Sequence, residues 1–375
     1  MRRSFQALAP VAGAALFLLA SCATPPRPGG PQRSPAEVRA QLERLLPPST
    51  RDRVGWAADI QSAFQVLDVP PSSENLCAVL AVTEQESTFT ADPVVPNLAR
   101  IARGEIDRRA SRLKVPQLVV RAALKIESPD GRTYGERIAR VRTERELSEL
   151  FEDFIGKVPL GKRLFGRANP VKTGGPMQVG IEFAERFARE RGYPYESDGS
   201  IRHAVFTRQG GMYFGIAHLL DYPSSYERHI HRYADFNAGW YASRNAAFQS
   251  AVTVASGVPL ALDGDLVVHS RLGGRVGATE TAVRRLGPRL GLDDSAIRRA
   301  LEKGDRYEFE QTELYERVFE LADSLAGRPL PRAVIPRITL ESPKITRKLT
   351  TEWFATRVQQ RYERCIAKAF AKPAA

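Results

Sequence analysis

The sequence predicts a mainly α-helical protein of 375 residues. Apolar residues recur at offsets of three and four along most of the chain, which is the spacing of one helix face. Clusters of proline, glycine and serine separate these stretches and are typical of helix ends. Strand-like apolar runs occur at Leu260–His269, on either side of the turn signal Asp263-Gly264, and predict a hairpin.

The predicted helices follow one another with short breaks from Pro35 to Lys368. They cover 35–46, 51–67, a stretch from Ser72 or Ser73 to Glu86, 98–113, 117–126, 144–155, 181–191, 210–222, 233–248, 279–290, 294–302, 310–325 and 350–368. The composition changes after Gly257, where the strand-like stretch Leu260–His269 is followed by a break at Gly273-Gly274. We therefore predict a separate α-rich region over 257–375.

The chain opens with two arginines and an apolar run that is too short to span a bilayer, a pattern typical of a signal peptide over 1–21. The run ends in Leu19-Ala20-Ser21-Cys22, which resembles the bacterial lipobox. That resemblance implies a lipid-modified Cys22, followed by a proline-rich tether linker over 22–35. Since Ala23 replaces the aspartate typical of inner-membrane retention, we expect an outer-membrane lipoprotein facing the periplasm. The alternative is an ordinary secretory signal that leaves Cys22 as a free thiol.

The other two of the three cysteines are Cys77 and Cys365. Exported proteins mature in an oxidising compartment, so a lipidated Cys22 would leave these two to pair. We predict a disulfide that joins the C-terminal tail to the helix around Leu76. Two separate buried thiols are the alternative.

The formal net charge of +12 falls to +10 when Met1–Ser21 is removed, because that segment carries two arginines and no acid. Such an excess favours an anionic partner, which could be nucleic acid, anionic lipid or an anionic polymer. Export argues against nucleic acid. We expect the partners to be peptidoglycan glycan strands and the outer membrane reached through the N-terminal lipid.

Glu86 closes the apolar helical stretch that begins at Leu76. It continues the face formed by Leu76, Val79, Leu80 and Thr83, whereas Glu84 is expected to point to solvent. Because a carboxylate at an apolar edge is costly to ionise, we expect the pKa of Glu86 to be raised, as a general acid requires. The alternative is a structural glutamate held by a cation.

Three segments share an order along the chain that is known from one enzyme family. Glu86-Ser87, Gly175-Pro176-Met177-Gln178 and Phe236-Asn237-Ala238-Gly239 resemble the Glu-Ser, Gly-Leu-Met-Gln and Ala-Tyr-Asn-Ala-Gly motifs of soluble lytic transglycosylases. The resemblance implies a lysozyme-like helical domain over 36–256, with an insertion at about 94–170 and a mostly helical C-terminal extension.

By this resemblance, Glu86 protonates the leaving oxygen of the MurNAc-GlcNAc bond and then deprotonates the muramyl 6-hydroxyl, which closes to a 1,6-anhydro end. Hydrolases that use two carboxylates need a partner acid, which is not evident here. No metal or organic cofactor is required. Ser87 would orient the glutamate or a sugar substituent, Met177 would pack on a sugar face, and Gln178 and Asn237 would bind polar groups. The alternatives are that Ser87 caps a helix, that Met177 is a thioether of the core, and that Asn237 is a buried amide with its hydrogen bonds satisfied.

The sequence also departs from the transglycosylase pattern. Glu86 and Gln178 are separated by 92 positions, so that about 70 residues are inserted between the first two motifs. Pro176 replaces leucine and Phe236 replaces tyrosine. A second pair, Glu127-Ser128, lies within the insertion, but the turn residues after it favour Glu86.

The chain is also similar over nearly its whole length to the YaiW-type family of outer-membrane lipoproteins, whose biochemical role is not settled. Gly174–Val179, Ala234–Phe248 and Leu340–Leu349 carry this resemblance. It keeps a second hypothesis open, in which a non-catalytic envelope lipoprotein binds peptidoglycan or a partner protein through a degenerate lysozyme-like groove. A metal site at His229 and His231 is not indicated, since no cysteine or carboxylate pattern surrounds them.

Overall fold

The computed structural model describes residues 33–157, 163, 168–197, 199–268, 276–340 and 347–371. Helices dominate these residues, which confirms the predicted α class. The predicted signal peptide, Cys22 and nearly all of the linker lie outside the described residues. Within the described part of the chain, no helix combines the length and apolarity needed to cross a bilayer.

Sixteen α-helices can be followed in the described residues. They are α1 (Pro35–Leu45), α2 (Arg53–Val66), α3 (Ser73–Ser87), α4 (Leu98–Arg112), α5 (Gln117–Leu124), α6 (Tyr134–Arg140), α7 (Glu144–Gly156), α8 (Ile181–Arg191), α9 (Ile201–Val205), α10 (Arg208–Leu220), α11 (His229–Ala238), α12 (Ala242–Ser256), α13 (Ala278–Leu290), α14 (Asp294–Leu301), α15 (Glu313–Ala326) and α16 (Thr351–Phe370). A 3₁₀ turn covers Tyr307–Gln311.

Two short antiparallel strand pairs accompany the helices. Strands β1 (Thr173–Gly174) and β2 (Val179–Gly180) pair with each other, and so do β3 (Thr339–Leu340) and β4 (Leu349–Thr350). The first pair closes a tight hairpin around the second motif segment.

Helix α3 is a central element of the first hydrophobic core. Its N-terminus is capped by the Ser72 hydroxyl, which accepts a hydrogen bond from the Asn75 amide at 3.2 Å. Every residue from Leu76 to Thr83 is buried, so α3 is enclosed on all sides and has no single apolar face. The single face predicted from the sequence therefore describes only part of the buried surface of α3.

Helix α16 is joined covalently to α3. Cys77 and Cys365 form a disulfide with Cα atoms 5.5 Å apart, which confirms the predicted pairing. Cys365 lies near the end of α16 and Cys77 near the start of α3. The two helices therefore run antiparallel.

Helix α16 also runs antiparallel to α11. The Thr351 hydroxyl at its start donates to Oδ1 of Asn237 near the end of α11, and the Tyr362 ring stacks on His229 at the start of α11 with centroids 5.3 Å apart. The C-terminal ends of α3 and α11 consequently point to the same end of this helix layer. That places Glu86 and Asn237 at one end of the first core.

Helix α10 is buried in the first core and accepts close neighbours at two glycines. A Cβ atom at Gly211 would lie 2.3 Å from Cδ of Pro176, and one at Gly215 would lie 2.4 Å from Sδ of Met177. The hairpin of β1 and β2 therefore rests directly on the backbone of α10. Side chains larger than glycine would displace it.

A second core is built by helices α12 to α15 around contacting aromatic rings. Phe248 of α12 contacts Phe309 and Tyr315, with centroids 5.0 and 5.9 Å apart. The buried Arg244 guanidinium donates to the backbone oxygens of Gly304 and Arg306 at 2.7 and 2.8 Å. It thereby ties α12 to the loop before the 3₁₀ turn.

Two sequence-based expectations are wrong. The helix predicted over 233–248 is two helices, interrupted at Gly239 and Tyr241, which both have positive φ. The break forms because the Asp235 carboxylate accepts hydrogen bonds from the amides of Tyr241 and Ser243 at 3.0 and 2.7 Å and so starts α12.

The second wrong expectation is the hairpin over 260–269, because residues 260–268 form no strand. The Gln249 side chain holds this turn instead. Its amide donates to Oδ1 of Asp263 at 2.7 Å, and its carbonyl accepts from the Gly264 amide at 2.9 Å. A side chain on α12 thus replaces the partner strand.

Candidate functional site

The first motif segment lies in the last turn of α3. Glu86 is half-buried and lies three positions after Thr83, the last residue of the fully buried part of the helix. The Ser87 hydroxyl is buried and donates to the Thr83 carbonyl at 3.1 Å, and it accepts from the Thr90 amide at 3.4 Å. Ser87 therefore stabilises the end of α3, which sets the position of Glu86.

Glu84 does not point freely to solvent, contrary to expectation. Its carboxylate lies 3.6 Å from the Arg361 guanidinium and 3.5 Å from that of Arg364, both on α16. Its side chain remains 33% exposed, so each ion pair contributes little to stability. Glu84 is nevertheless directed at α16 through these two contacts.

The second motif segment is the turn between β1 and β2. Met177 is fully buried against Gly215, so its side chain is part of the core in this structure. Gln178 is half-buried with a left-handed φ of 50°. The side-chain oxygen Oε1 of Gln178 accepts a hydrogen bond from the Thr173 hydroxyl at 3.2 Å. The side-chain nitrogen Nε2 donates to the Gly175 carbonyl at 3.3 Å. These bonds orient the Gln178 amide group within its own hairpin.

The third motif segment ends α11. Oδ1 of Asn237 accepts a hydrogen bond from the Thr351 hydroxyl at 2.8 Å, and Asn237 itself is half-buried. Phe236 is buried, with its ring centroid 5.0 Å from that of His218. The Asn237 amide nitrogen is the part of this side chain left for another contact.

One side of α10 contacts helix α3, which carries the first motif segment, and it also contacts Met177 of the second segment and Phe236 of the third. Met212 receives the Thr83 hydroxyl of α3 at 3.8 Å, Gly215 receives Met177, and the His218 carbonyl accepts from the Trp240 indole at 2.7 Å. These three α10 positions are spaced by three and follow one side of a helix. Helix α3 and the second and third motif segments, which are distant in sequence, thus contact two turns of one buried helix.

His218 was not identified from the sequence. Its ring lies among Phe183, Phe236 and Trp240, with centroids 4.6, 5.0 and 5.8 Å away. Burial lowers the pKa of His218 to about 4, and the positive charge of Arg186 adds to the effect. The imidazole is therefore neutral at pH 7 and packs as an aromatic ring.

Asp235 was also missed, although it lies two positions before Asn237. It is fully buried, and its carboxylate accepts from the hydroxyls of Tyr226 and Tyr222 at 2.6 and 3.3 Å, besides the two amides that begin α12. Burial raises the pKa of Asp235, and these hydrogen bonds oppose the shift. No local pattern distinguishes a buried aspartate from an exposed one on such a helix.

The competing pair Glu127-Ser128 lies in a different environment. Glu127 is exposed and pairs with Thr133 through an isolated bridge. The Ser128 hydroxyl donates to Asp130 at 2.6 Å and shapes the turn. The structure therefore places this pair on a surface turn of the insertion, as the sequence indicated.

Among the residues that the structure describes, no three histidine, cysteine, aspartate or glutamate side chains are placed to share a metal ion. His229 and His231 lie on α11. The His229 ring stacks on Tyr362, and its Nε2 atom is 3.4 Å from Oδ1 of Asn75. Burial lowers the pKa of both histidines.

Comparison with known proteins supplies a family but no activity. A family model described as "Protein of unknown function (DUF1615)" matches residues 49–368. The chain is 51% identical over 353 residues to the "Uncharacterized protein YaiW" of Escherichia coli (strain K12), covering 94% of this chain and 96% of that protein. No match was found among solved structures.

Proposed function

We propose a function from a plain premise: the chain belongs to the DUF1615 family of proteins of unknown function. The proposal is a peptidoglycan lytic transglycosylase, in which Glu86 serves as the single acid and base. Cleavage of the MurNAc-GlcNAc bond would leave 1,6-anhydro-MurNAc ends. The protein would be held at the outer membrane by a lipid on Cys22 and face the periplasm.

The observation that supports this proposal is that α10 contacts α3, which carries Glu86, as well as Met177 of the second motif segment and Phe236 of the third. The α10 positions concerned, Met212, Gly215 and His218, follow the same order as the three motifs along the chain. Glu86 is also half-buried at the end of α3, so it is neither sealed in the core nor fully exposed, as a group that must reach a substrate requires.

The other motif residues would have structural or substrate-binding roles. Ser87 would fix the end of α3, and Met177 would anchor the hairpin on α10, since both side chains are buried. Gln178 and Asn237 are half-buried and would offer amide groups to the glycan. The reaction balances without a cofactor, because the proton given to the leaving oxygen is recovered from the muramyl 6-hydroxyl.

A second candidate is a non-catalytic envelope lipoprotein that binds peptidoglycan or a partner protein through the same groove. The observation in its favour is that the polar side chains already have local partners. Asn237 accepts from Thr351, and the Gln178 amide is bonded within its hairpin. Binding alone needs less of the precise alignment that catalysis requires.

The test is mass spectrometry of muropeptides released from purified peptidoglycan by the chain lacking its first 22 residues. We expect 1,6-anhydro-muropeptides, and a fall in their rate of release of about 10²-fold or more in Glu86→Gln. Glu84→Gln is the matched control on the same helix and should retain the activity. Release that Glu86→Gln leaves unchanged would contradict the assignment. Retention on sacculi without release would favour the binding protein.

A further inference from the structure

Helices α4 to α7, which form the insertion between the first two motif segments, enclose a cavity of about 270 Å³. Its wall is almost wholly apolar and includes Ile106 of α4, Val120 and Leu124 of α5, and Leu150 and Phe151 of α7. This volume is near the lower end of pockets that hold small molecules. Neither the proposed glycan cleavage nor glycan binding uses this space.

Helix α5 forms an incomplete side of the cavity. Val120 is the one buried residue among its eight, whereas Leu118 and Val119 are 70% and 53% exposed. Val119 also lines the cavity, so the apolar wall continues to the surface beside α5. An apolar ligand could therefore enter from this side and cover exposed hydrocarbon as it does so.

Tyr134 supplies an unsatisfied polar group in the wall. It is 1% exposed, and its buried hydroxyl has no hydrogen-bond partner among the described residues. Such a group costs about 1–3 kcal/mol when it is left unpaired. A ligand oxygen that accepts from this hydroxyl would remove the cost.

The cavity is lined by one acid and one base, Glu105 and Arg109, and the helices α4 and α5 beside it carry a large positive excess. Residues 98–125 carry eight lysines and arginines against two acids, a net charge of +6. Arg109 lines the cavity and is partly exposed, and it donates to the Ala168 carbonyl at 2.6 Å. Its other contact is the Glu105 carboxylate, which it shares with Arg108. Net positive helices beside an apolar interior complement an amphiphile with an anionic head.

We propose that helices α4 to α7 bind an acyl chain that carries an anionic head, with the chain inside the apolar cavity and the head beside Arg109. A sugar or nucleotide does not fit this interior, since its polar groups would lose water without gaining partners. A free fatty acid and one chain of an anionic phospholipid offer the same chemistry. The experiment must therefore distinguish these two sources.

The test uses the chain lacking its first 22 residues, which keeps the compact unit from Pro35 onward. Binding of palmitate is measured by isothermal titration calorimetry, and binding to phosphatidylglycerol vesicles by co-sedimentation, with phosphatidylcholine vesicles as the neutral control. Palmitate binding without vesicle binding would identify the free acid as the source. Vesicle binding that palmitate displaces would identify the phospholipid.

Ala123→Phe fills the cavity from α5, because Ala123 lines it. We expect this substitution to weaken palmitate binding by at least about tenfold. Ala122→Phe is the matched control, since Ala122 is exposed on the same helix and does not line the cavity. Arg109→Gln provides a second, less disruptive variant, which should weaken binding of palmitate but not of cetyl alcohol.

Three results would overturn the proposal. The first is no binding of either palmitate or phosphatidylglycerol vesicles. The second is binding that a folded Ala123→Phe protein retains at full strength, which would show that surface charge alone attracts the probe. The third is an Arg109→Gln protein that binds palmitate and cetyl alcohol as the unsubstituted protein does.

Discussion

Buried polar side chains hold the third motif segment in position. The Asp235 carboxylate accepts hydrogen bonds from Tyr226 and from the amides that begin α12, while the His218 ring packs under Phe236. Their neighbour Asn237 is oriented by Thr351. At the scale of single residues, the position of Asn237 thus depends on groups that the motif itself does not contain.

His218 should make the protein less stable in acid. Its pKa in the folded protein is about 4, against an ordinary value of 6.5, so the unfolded chain binds more protons between these two values. The free energy of unfolding therefore falls as the pH drops from 6.5 to 4, by up to about 3 kcal/mol from this group.

His218→Phe keeps an aromatic ring but cannot take up a proton. We expect the loss of stability between pH 7 and pH 4 to be smaller in this variant by up to about 3 kcal/mol. Urea unfolding at the two pH values measures the difference. Equal losses in the two proteins would show that His218 is not buried in its neutral form.

At the scale of elements, the sequence was most informative where local chemistry decides the structure. Ser72 caps α3 as one of the two serines expected there, and the bounds of α8 and α13 agree closely with the apolar periodicity. The break at Gly239 and the turn at Asp263 were missed because side chains from elsewhere create them. Such contacts between distant residues cannot be predicted from the periodicity of the sequence.

The same limit applies to the candidate site. The order of the motif segments could be read from the sequence, and so could the pairing of Cys77 with Cys365. The packing of the second motif segment on α10 could not be read from the sequence, because the importance of Gly211 and Gly215 depends on the residues that pack against them. Both glycines are ordinary helix residues when the sequence is considered alone.

Gly215→Ala tests this packing. Alanine normally stabilises the interior of a helix by about 0.5–1 kcal/mol relative to glycine. Here the new methyl group would meet Met177 at 2.4 Å, and overpacking of this kind costs about 1–3 kcal/mol. We therefore expect net destabilisation, measured as a lower midpoint of urea unfolding.

Gly104→Ala is the matched control for this substitution. Gly104 also lies within a helix, but a Cβ atom there would meet nothing within 4 Å. This variant should be more stable than the unsubstituted protein by about 0.5–1 kcal/mol. If Gly215→Ala were stabilising as well, Met177 would not rest on α10 as described.

At the scale of the whole molecule, one covalent bond connects distant parts of the chain. The disulfide between Cys77 and Cys365 has a sequence separation of 288 residues. It restrains α16, which packs on α3 and α11 and bonds Asn237 through Thr351. The ends of α3 and α11 that carry the site therefore depend on a helix from the far end of the sequence.

Loss of this disulfide should destabilise the whole protein. We expect Cys365→Ser to lower the free energy of unfolding by about 2–5 kcal/mol, mainly because the unfolded chain gains freedom. Reduction with dithiothreitol should lower the urea midpoint of the unsubstituted protein to a similar value, and it should leave the midpoint of the variant unchanged. A midpoint insensitive to the reductant would contradict the pairing.

The proposed function requires the three motif segments to form one glycan groove. A crystal structure of Glu86→Gln with a GlcNAc-MurNAc tetrasaccharide tests this claim most directly, because it applies to an enzyme and to a binding protein alike. We expect a sugar chain at the end of α3, with polar contacts to Gln178 and Asn237. A sugar chain bound elsewhere, or none bound at saturating concentration, would contradict it.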